Sequence, residues 1–273
     1  MVTQSRFGRT TRRSISNRIP IALLIEKIDS SPFICYLCRI MEIRPIAHIR
    51  TSFPEKFGIP RQSGLAKSLT GRIVFEQEFR NPDALRGLEG FSHLWLIWEF
   101  SANRAANPQK ANGWQPTVRP PRLGGNEHMG VFATRSPFRP NPLGLSCVRI
   151  VEISLAGHEG PEIVVSGADL MDGTPIYDIK PYIRYADARP EAVCGYVDSL
   201  EEQSLKVVLP PELAERIKDR NIIPALIETL RLDPRPSYHN DPEREYGMCF
   251  DAYNIRFTVL EDCLKVTDIR HRN

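Results

Sequence analysis

The chain has 273 residues, 41% hydrophobic and 25% charged, an ordinary soluble composition with material for one large or two modest domains. No apolar run reaches the roughly 20 residues that a membrane-spanning helix needs. The net charge of +3 divides unevenly: residues 1–40 hold seven Lys/Arg against two acids, and the remainder holds 29 basic and 31 acidic residues, which excludes bulk charge as the route to nucleic acid.

Residues 1–40 are rich in Arg and Ser, and the short apolar run Ile19–Ile25 is followed by Glu26-Lys27 with no convincing cleavage site, so they read as an appended or mis-started segment ahead of Met41. Ile43, Ile46, Ala47 and Ile49 predict a first strand over 42–51, and the breaker-rich stretch 52–64 predicts a loop. A strand over 71–75 and a short helix over 84–87 follow. The nearly continuous apolar run His93–Phe100 predicts a central strand buried on both faces. Residues 101–127 form a long irregular excursion, of the kind that is usually functional or mobile.

Met129–Ala133 predicts a strand that breaks at Thr134. The chain then crosses a loop carrying Arg135, Arg139 and three prolines and returns at Leu143 to an alternating strand marked by Val148, Ile150 and Ile153. Prolines lack amide donors and fix φ, so this loop cannot pair into a sheet and is a stiff place to hold a polar ligand. Short strands are predicted over 162–166 and 175–179, with a turn from Gly167 to Pro175 that carries two carboxylates between them. The texture changes at Ala188-Arg189-Pro190, where a boundary is placed. Beyond it come a hairpin over 191–200 and 205–209, a helix over 211–230 that Pro224 kinks or splits, and strands over 246–250, 254–260 and 263–268. The expected fold is mainly β: a small antiparallel β-barrel over 41–189 and a small α+β domain over 190–273.

Six cysteines stand at 35, 38, 147, 194, 249 and 263. Cys35-Tyr-Leu-Cys38 alone is weak evidence for zinc, and the others read as buried free thiols in a reducing, cytoplasmic compartment with no structural metal. The chain carries no G-x-G-x-x-G after a strand, no P-loop, no G-x-S-x-G and no H-E-x-x-H, so a dinucleotide site, a Rossmann-type methyltransferase site and the familiar hydrolases find no support.

Several blocks occur in a specific order: Phe57–Gln62 (FGIPRQ), Arg86–Trp95 (RGLEGFSHLW), Trp114–Asn126 (WQPTVRPPRLGGN), Gly130–Ser136, Asn141–Gly144, Asp172–Pro175 with Asp178–Tyr182, and Asp233–Pro236 with Tyr238. On these blocks the chain from about Ile43 onward resembles the TrmO (TsaA/YaeB-like) family of tRNA methyltransferases. The resemblance implies an S-adenosylmethionine-dependent homodimeric β-barrel enzyme that methylates N6 of threonylcarbamoyl-adenosine at position 37, in the tRNA anticodon loop. Carried over by position, the cofactor residues are Pro60, Arg61 and Gln62, then Ser101 and Ala102, then Arg135 and Leu145, then Asp169, Leu170, Met171 and Asp172. Many relatives have histidine where this chain has Ser101, so a backbone contact is the one that survives there.

These residue types suit the ligand. Arginines pair with a carboxylate, acids accept from ribose or amino groups, and loop amides read an adenine edge. The acceptor nitrogen is urea-like and must lose its proton, which requires a general base; Asp172 and Asp178 are the candidates, although Asp-Gly-Thr-Pro is also ordinary turn chemistry. Arg235 and Tyr238, in a proline-stiffened loop, are candidates for holding tRNA by phosphate contact and stacking; the alternative is that Arg235 pairs with Asp241 or Glu243. A non-catalytic S-adenosylmethionine sensor and a plain RNA-binding adaptor are the competing readings.

Overall fold

Alternating apolar residues along six strands close into an antiparallel barrel in the computed structural model, which describes residues 42–102, 114–124, 126–200, 204–235 and 241–272. The strands are β1 (Ala47–Arg50), β2 (Thr70–Phe75), β3 (His93–Glu99), β6 (Leu143–Gly157), β7 (Gly160–Ser166) and β8 (Pro175–Pro181). Their order around the barrel is β1-β2-β7-β6-β3-β8. Two short strands, β4 (Thr117–Val118) and β5 (Met129–Gly130), pair with each other outside it.

The period of two decides what faces the core. In β3, Leu94, Leu96 and Trp98 are buried while His93, Trp95 and Ile97 are half-buried. The expectation that this strand is buried on both faces is therefore corrected. A closed barrel has one interior, and the outward rings settle against Tyr182, with Trp95 and Tyr182 centroids 5.9 Å apart. The interior is filled by side chains including Ile49, Ile73, Leu94, Leu96, Ile163 and Ile176.

The remaining strands are β9 (Lys206–Val208), β10 (Tyr246–Phe250), β11 (Tyr253–Leu260) and β12 (Cys263–His271), ordered β10-β11-β12-β9, with β9 parallel to β12. The helix Ile223–Arg231 buries Ala225, Leu226, Thr229 and Leu230 against this sheet's core. Phe53, Ala66 and Leu69 belong to that same core, although they precede the boundary expected near residue 189. The loop after β1 thus ties barrel and sheet together, and Ile43–Asn273 forms one compact unit.

Several local expectations are corrected. The first strand is confined to Ala47–Arg50, and the strand expected over 129–133 is two residues followed by a 3-10 turn, Val131–Ala133. Residues 84–87 expected as helix lie in or just after a 3-10 turn, Pro82–Leu85. No hairpin forms over 191–200: Gly195–Ser199 is a 3-10 turn whose start is tied by the Cys194 amide donating to Asp198, and Val193 stands 88% exposed with no strand to pack on. The helix over 211–230 is split, as expected, into Pro211–Ala214 and Ile223–Arg231, but the break precedes Pro224, which sits in the first turn of the second helix where its missing N–H costs nothing. Cys147, Cys249 and Cys263 are half-buried and Cys194 is exposed, so these thiols are less buried than expected; Cys35 and Cys38 lie outside the described residues. Among the described residues no helix is long and apolar enough to cross a membrane, and no group of three or more His, Cys, Asp or Glu could hold a metal ion.

Candidate functional site

The loop from Ser52 to Leu69 carries Pro60, Arg61 and Gln62 and is anchored at both ends. Phe53 is fully buried and stacks edge-on against Phe250 at 5.5 Å. At the far end, Gly64 and Gly167 exchange contacts with the barrel: the Gly64 amide donates to the Gly167 carbonyl at 2.8 Å, and the Gly167 amide donates to Leu69 at 2.8 Å. Gly167 has φ +78°, and a Cβ there would lie 2.9 Å from Gly64 Cα, so the close approach requires glycine. Ser68 donates from both its amide and its hydroxyl to Glu228, each at 2.8 Å, which fixes the loop to the helix Ile223–Arg231.

At the end of this loop three elements converge. On β6, the buried Ser146 accepts from Trp98 Nε1 at 2.9 Å and donates to Asp169 Oδ1 at 2.6 Å. Gly144 makes room for this arrangement: a Cβ there would stand 2.3 Å from the Trp98 indole. Burial pushes the Asp169 carboxyl above its ordinary range, opposed by the Ser146 hydrogen bond, by its own backbone amide, by the Arg135 charge and by the Ser63 backbone. Arg135 Nη1 donates to Gln62 Oε1, so the proline-rich loop and the loop after β1 meet close enough to Asp169 for the Arg135 charge to act on its carboxyl. Burial also lowers the Arg61 guanidinium's hold on its proton, with Asp233 opposing and the nearby Arg122 adding to the effect.

Trp98 also forms a wall of a pocket of about 210 Å³. Ser101, Ala102 and Met171 line it with Lys56, Glu99 and Phe100, and Pro137 and Thr174 complete it. Trp98 and Phe100 pack with ring centroids 4.4 Å apart, and Glu99, 6% exposed, accepts a hydrogen bond from the Tyr177 hydroxyl. The pocket therefore offers an aromatic wall, a carboxylate and an ammonium group side by side. A larger hollow, about 280 Å³, lies on the β10–β12 sheet beside Cys249, Arg256 and Asp268 and contains none of the converging residues.

Two family descriptions match the chain: the tRNA-methyltransferase O N-terminal domain over residues 48–188 and the TrmO C-terminal domain over residues 202–272. The chain belongs to the TrmO family. It is 38% identical to the tRNA (adenine(37)-N6)-methyltransferase of Escherichia coli K12 across 85% of this chain and 98% of that one. It is 44% identical to the enzyme of the same name from Eikenella corrodens, across 62% of this chain and 91% of that one. The crystal structure of TrmO from Pseudomonas aeruginosa aligns with a TM-score of 0.65 at 32% identity, covering 85% of this chain and 99% of that chain.

Within this TrmO-family fold the residues singled out by sequence fall into two groups. Gln62, Arg135 and Asp169 converge, and Ser101, Ala102 and Met171 share the pocket beside them. Pro60 and Leu170 are buried, Leu170 within the barrel core. Leu145 points away: its strand partner is the outward Ile97, it is 55% exposed, and its neighbour Ser146 is the residue that reaches Asp169. Asp172 is committed to the end of β1, accepting from the Thr51 amide at 3.0 Å and lying 3.6 Å from Arg50 Nη1. Asp178 pairs with Ile97 on the outer wall and forms an ion pair with Lys180 at 2.9 Å.

Arg235 is turned inward. Its Nε and Nη2 pair with the two carboxylate oxygens of Asp233 at 2.8 and 2.9 Å, and its carbonyl accepts from Arg61 Nη2 at 3.5 Å. The partner is Asp233, not Asp241 or Glu243, and Tyr238 lies outside the described residues. Sequence reasoning missed Ser146, Trp98, Glu99 and Lys56. The signal for Ser146 was present: a lone hydroxyl at the inward position of an alternating strand, two residues before the buried Val148.

Proposed function

We propose that this chain methylates the N6 nitrogen of adenosine 37 in tRNA with S-adenosylmethionine, taking the base in its threonylcarbamoylated form. The observation that carries the reading is the meeting of Arg135, Gln62 and Asp169 beside the Trp98 pocket, in a TrmO-family chain whose E. coli relative bears the name tRNA (adenine(37)-N6)-methyltransferase. An enzyme, unlike a sensor, needs a proton acceptor beside the cofactor, and the Glu99 carboxylate in the pocket lining supports that reading.

The residues fit S-adenosylmethionine by charge type. Arg135 would pair with its carboxylate and Asp169 with its amino or hydroxyl donors, and the Trp98 and Phe100 rings would suit a flat base or a sulfonium cation. When bound, S-adenosylmethionine supplies an electrophilic methyl group. At about 210 Å³ the pocket is smaller than the roughly 300 Å³ at the low end for cofactor sites, so groups outside it, Asp169 and Arg135, would share in holding the cofactor. The chain's own contribution is positioning and proton removal. Asp172 suits holding the turn against β1, and Asp178 lies on the outer wall, which leaves Glu99 as the pocket carboxylate to take the N6 proton, its second oxygen held by Tyr177.

The division of labour proposed is a barrel part that binds the cofactor and a 190–273 part that contributes to tRNA contact, with Arg235 bracing the junction through Asp233 and Arg61. A homodimer is proposed through exposed apolar residues of β6, Leu143, Leu145, Val151 and Leu155, and a cytoplasmic location is proposed from the substrate. Mass spectrometry of the nucleoside at position 37, from cells with and without the gene, tests the reading: the methylated form must disappear with the gene and return with a plasmid copy. Unchanged nucleosides would favour the sensor.

A further inference from the structure

The segments flanking the β4–β5 pair, residues 114–116 before it and 131–142 after it, expose an aromatic surface outside the cofactor pocket. Trp114 and Phe132 are 46% and 72% exposed, their rings are 20° from parallel, and the centroids are 6.4 Å apart. Phe138, 48% exposed, stands on the later segment. The surface is held rigidly. The Gln115 amide donates to the Phe138 carbonyl at 3.1 Å, the Val131 amide to Pro116 at 2.9 Å, and Thr117 and Val118 pair with Gly130 and Met129. Arg139 lies 5.6 Å from the Phe132 ring centre while donating to the Val131 and Thr134 carbonyls at 3.0 and 2.7 Å, which fixes the guanidinium over the ring.

Three large aromatic side chains left in water are a marker of an interaction surface, because their burial would otherwise stabilise the fold. The charge around them decides between partners. Residues 114–141 contain four arginines and a single acid, Glu127, and Arg61 and Arg122 lie close enough for one charge to disfavour the other. A second copy docking here would bring like charges together across a two-fold axis. An RNA strand supplies phosphates for the arginines and bases for the rings.

Resting on the tRNA reading above, we propose that the Trp114–Phe132 pair is a stacking platform for an unpaired anticodon-loop base next to the adenosine that is methylated. Chemistry on a base in a loop requires that base to leave its neighbours, and the neighbour then loses a stacking surface. An aromatic face replaces it without reading sequence. Placement supports this: Pro137, which lies between Phe132 and Phe138 in the chain, lines the cofactor pocket, so the platform borders the place where the reactive nitrogen must come.

The test uses the full-length chain with Phe132→Ala, Trp114→Ala and the conservative Phe132→Tyr. The probe is a synthetic anticodon stem-loop RNA carrying threonylcarbamoyl-adenosine at position 37. RNA affinity is read by fluorescence anisotropy, S-adenosylmethionine affinity by calorimetry, and oligomeric state by sedimentation. The platform gives a loss of RNA affinity of about five- to a hundredfold in each alanine variant, the range a lost base–aromatic stack produces. Phe132→Tyr retains affinity, the salt dependence keeps its slope because no phosphate contact is lost, and cofactor affinity does not move. Unchanged RNA affinity in the folded alanine variants overturns the platform while leaving the methyltransferase reading intact. So does loss of RNA binding that appears only together with dissociation of a dimer, which would assign the face to a second copy. If the wild-type chain itself neither binds nor methylates the RNA, the functional reading fails first and the platform with it.

Discussion

Replacing Ser146 with alanine isolates the hydrogen-bond chain that holds the site together. The Ser146 hydroxyl is 1% exposed as a residue, accepts from Trp98 Nε1 at 2.9 Å and donates to Asp169 Oδ1 at 2.6 Å. Its removal leaves a buried indole N–H unpaired, at a cost of about 1–3 kcal/mol, and takes a charge-assisted bond of about 1.5–3 kcal/mol from Asp169. The two losses share one site and do not add fully, so the expected destabilisation is about 2–4 kcal/mol. For a folded unit of this size each kcal/mol lowers Tm by about 2–4 °C. The pH dependence separates this account from a simple packing loss. Burial raises the Asp169 pKa, and a raised carboxyl contributes stability that is full below its unfolded value of 3.8 and is lost as pH rises through the folded value. Ser146 opposes that shift, so Ser146→Ala raises the folded pKa further, and its cost grows as Asp169 ionises. Thermal melts across the acid range, paired with calorimetry of S-adenosylmethionine binding at neutral pH, read both effects. A penalty that stays the same at every pH, with unaltered cofactor affinity, would refute the reasoning.

Other perturbations follow the same geometry. Arg135→Ala should weaken S-adenosylmethionine binding by about 1.5–3 kcal/mol through loss of one charge-assisted contact, and calorimetry on the folded variant checks it. Gly144→Ala should cost about 1–3 kcal/mol in stability, because the added methyl would stand 2.3 Å from the Trp98 indole and must displace it; a melt unchanged from wild type would reject the close packing. Arg235→Ala should lower Tm, since it strips the bidentate partner from Asp233, a residue held at φ +49°; tRNA affinity falling with Tm unaltered would instead restore a direct tRNA contact.

The strands were legible where one face is buried. Gly160–Ser166 alternates cleanly, whereas Thr70–Phe75 alternates at its start and ends on three successive buried residues, Ile73, Val74 and Phe75. The barrel itself was expected, but not which strands meet at its seam, because β1 and β8 pair through Ala47–Ile176 and His48–Pro175, a contact between segments far apart in sequence. The stretch 191–200 misled because its apolar residues, Val193 and Val197, are exposed, so apolarity there carries no strand signal. At the site, residue types and motif order indicated Gln62, Arg135, Asp169 and Met171. They gave no account of side-chain direction: β-strand parity turns Leu145 and Asp178 outward and Ser146 inward, and local pairing spends the Asp172 carboxylate on Thr51. Arg235 found its acid two residues upstream, a pairing permitted by the left-handed turn at Asp233 that no spacing rule indicates.

The central claim is methyl transfer to N6 of adenosine 37, and reconstitution with purified components tests it most directly. The chain is incubated with S-adenosylmethionine carrying an isotope-labelled methyl group and with tRNA bearing threonylcarbamoyl-adenosine, and the digested nucleosides are resolved by mass spectrometry. The expected result is one labelled methyl on the N6 nitrogen of the position 37 nucleoside, strongly reduced by Glu99→Gln in a variant that still binds the cofactor. A folded chain that binds S-adenosylmethionine and tRNA yet leaves every nucleoside unlabelled would contradict it.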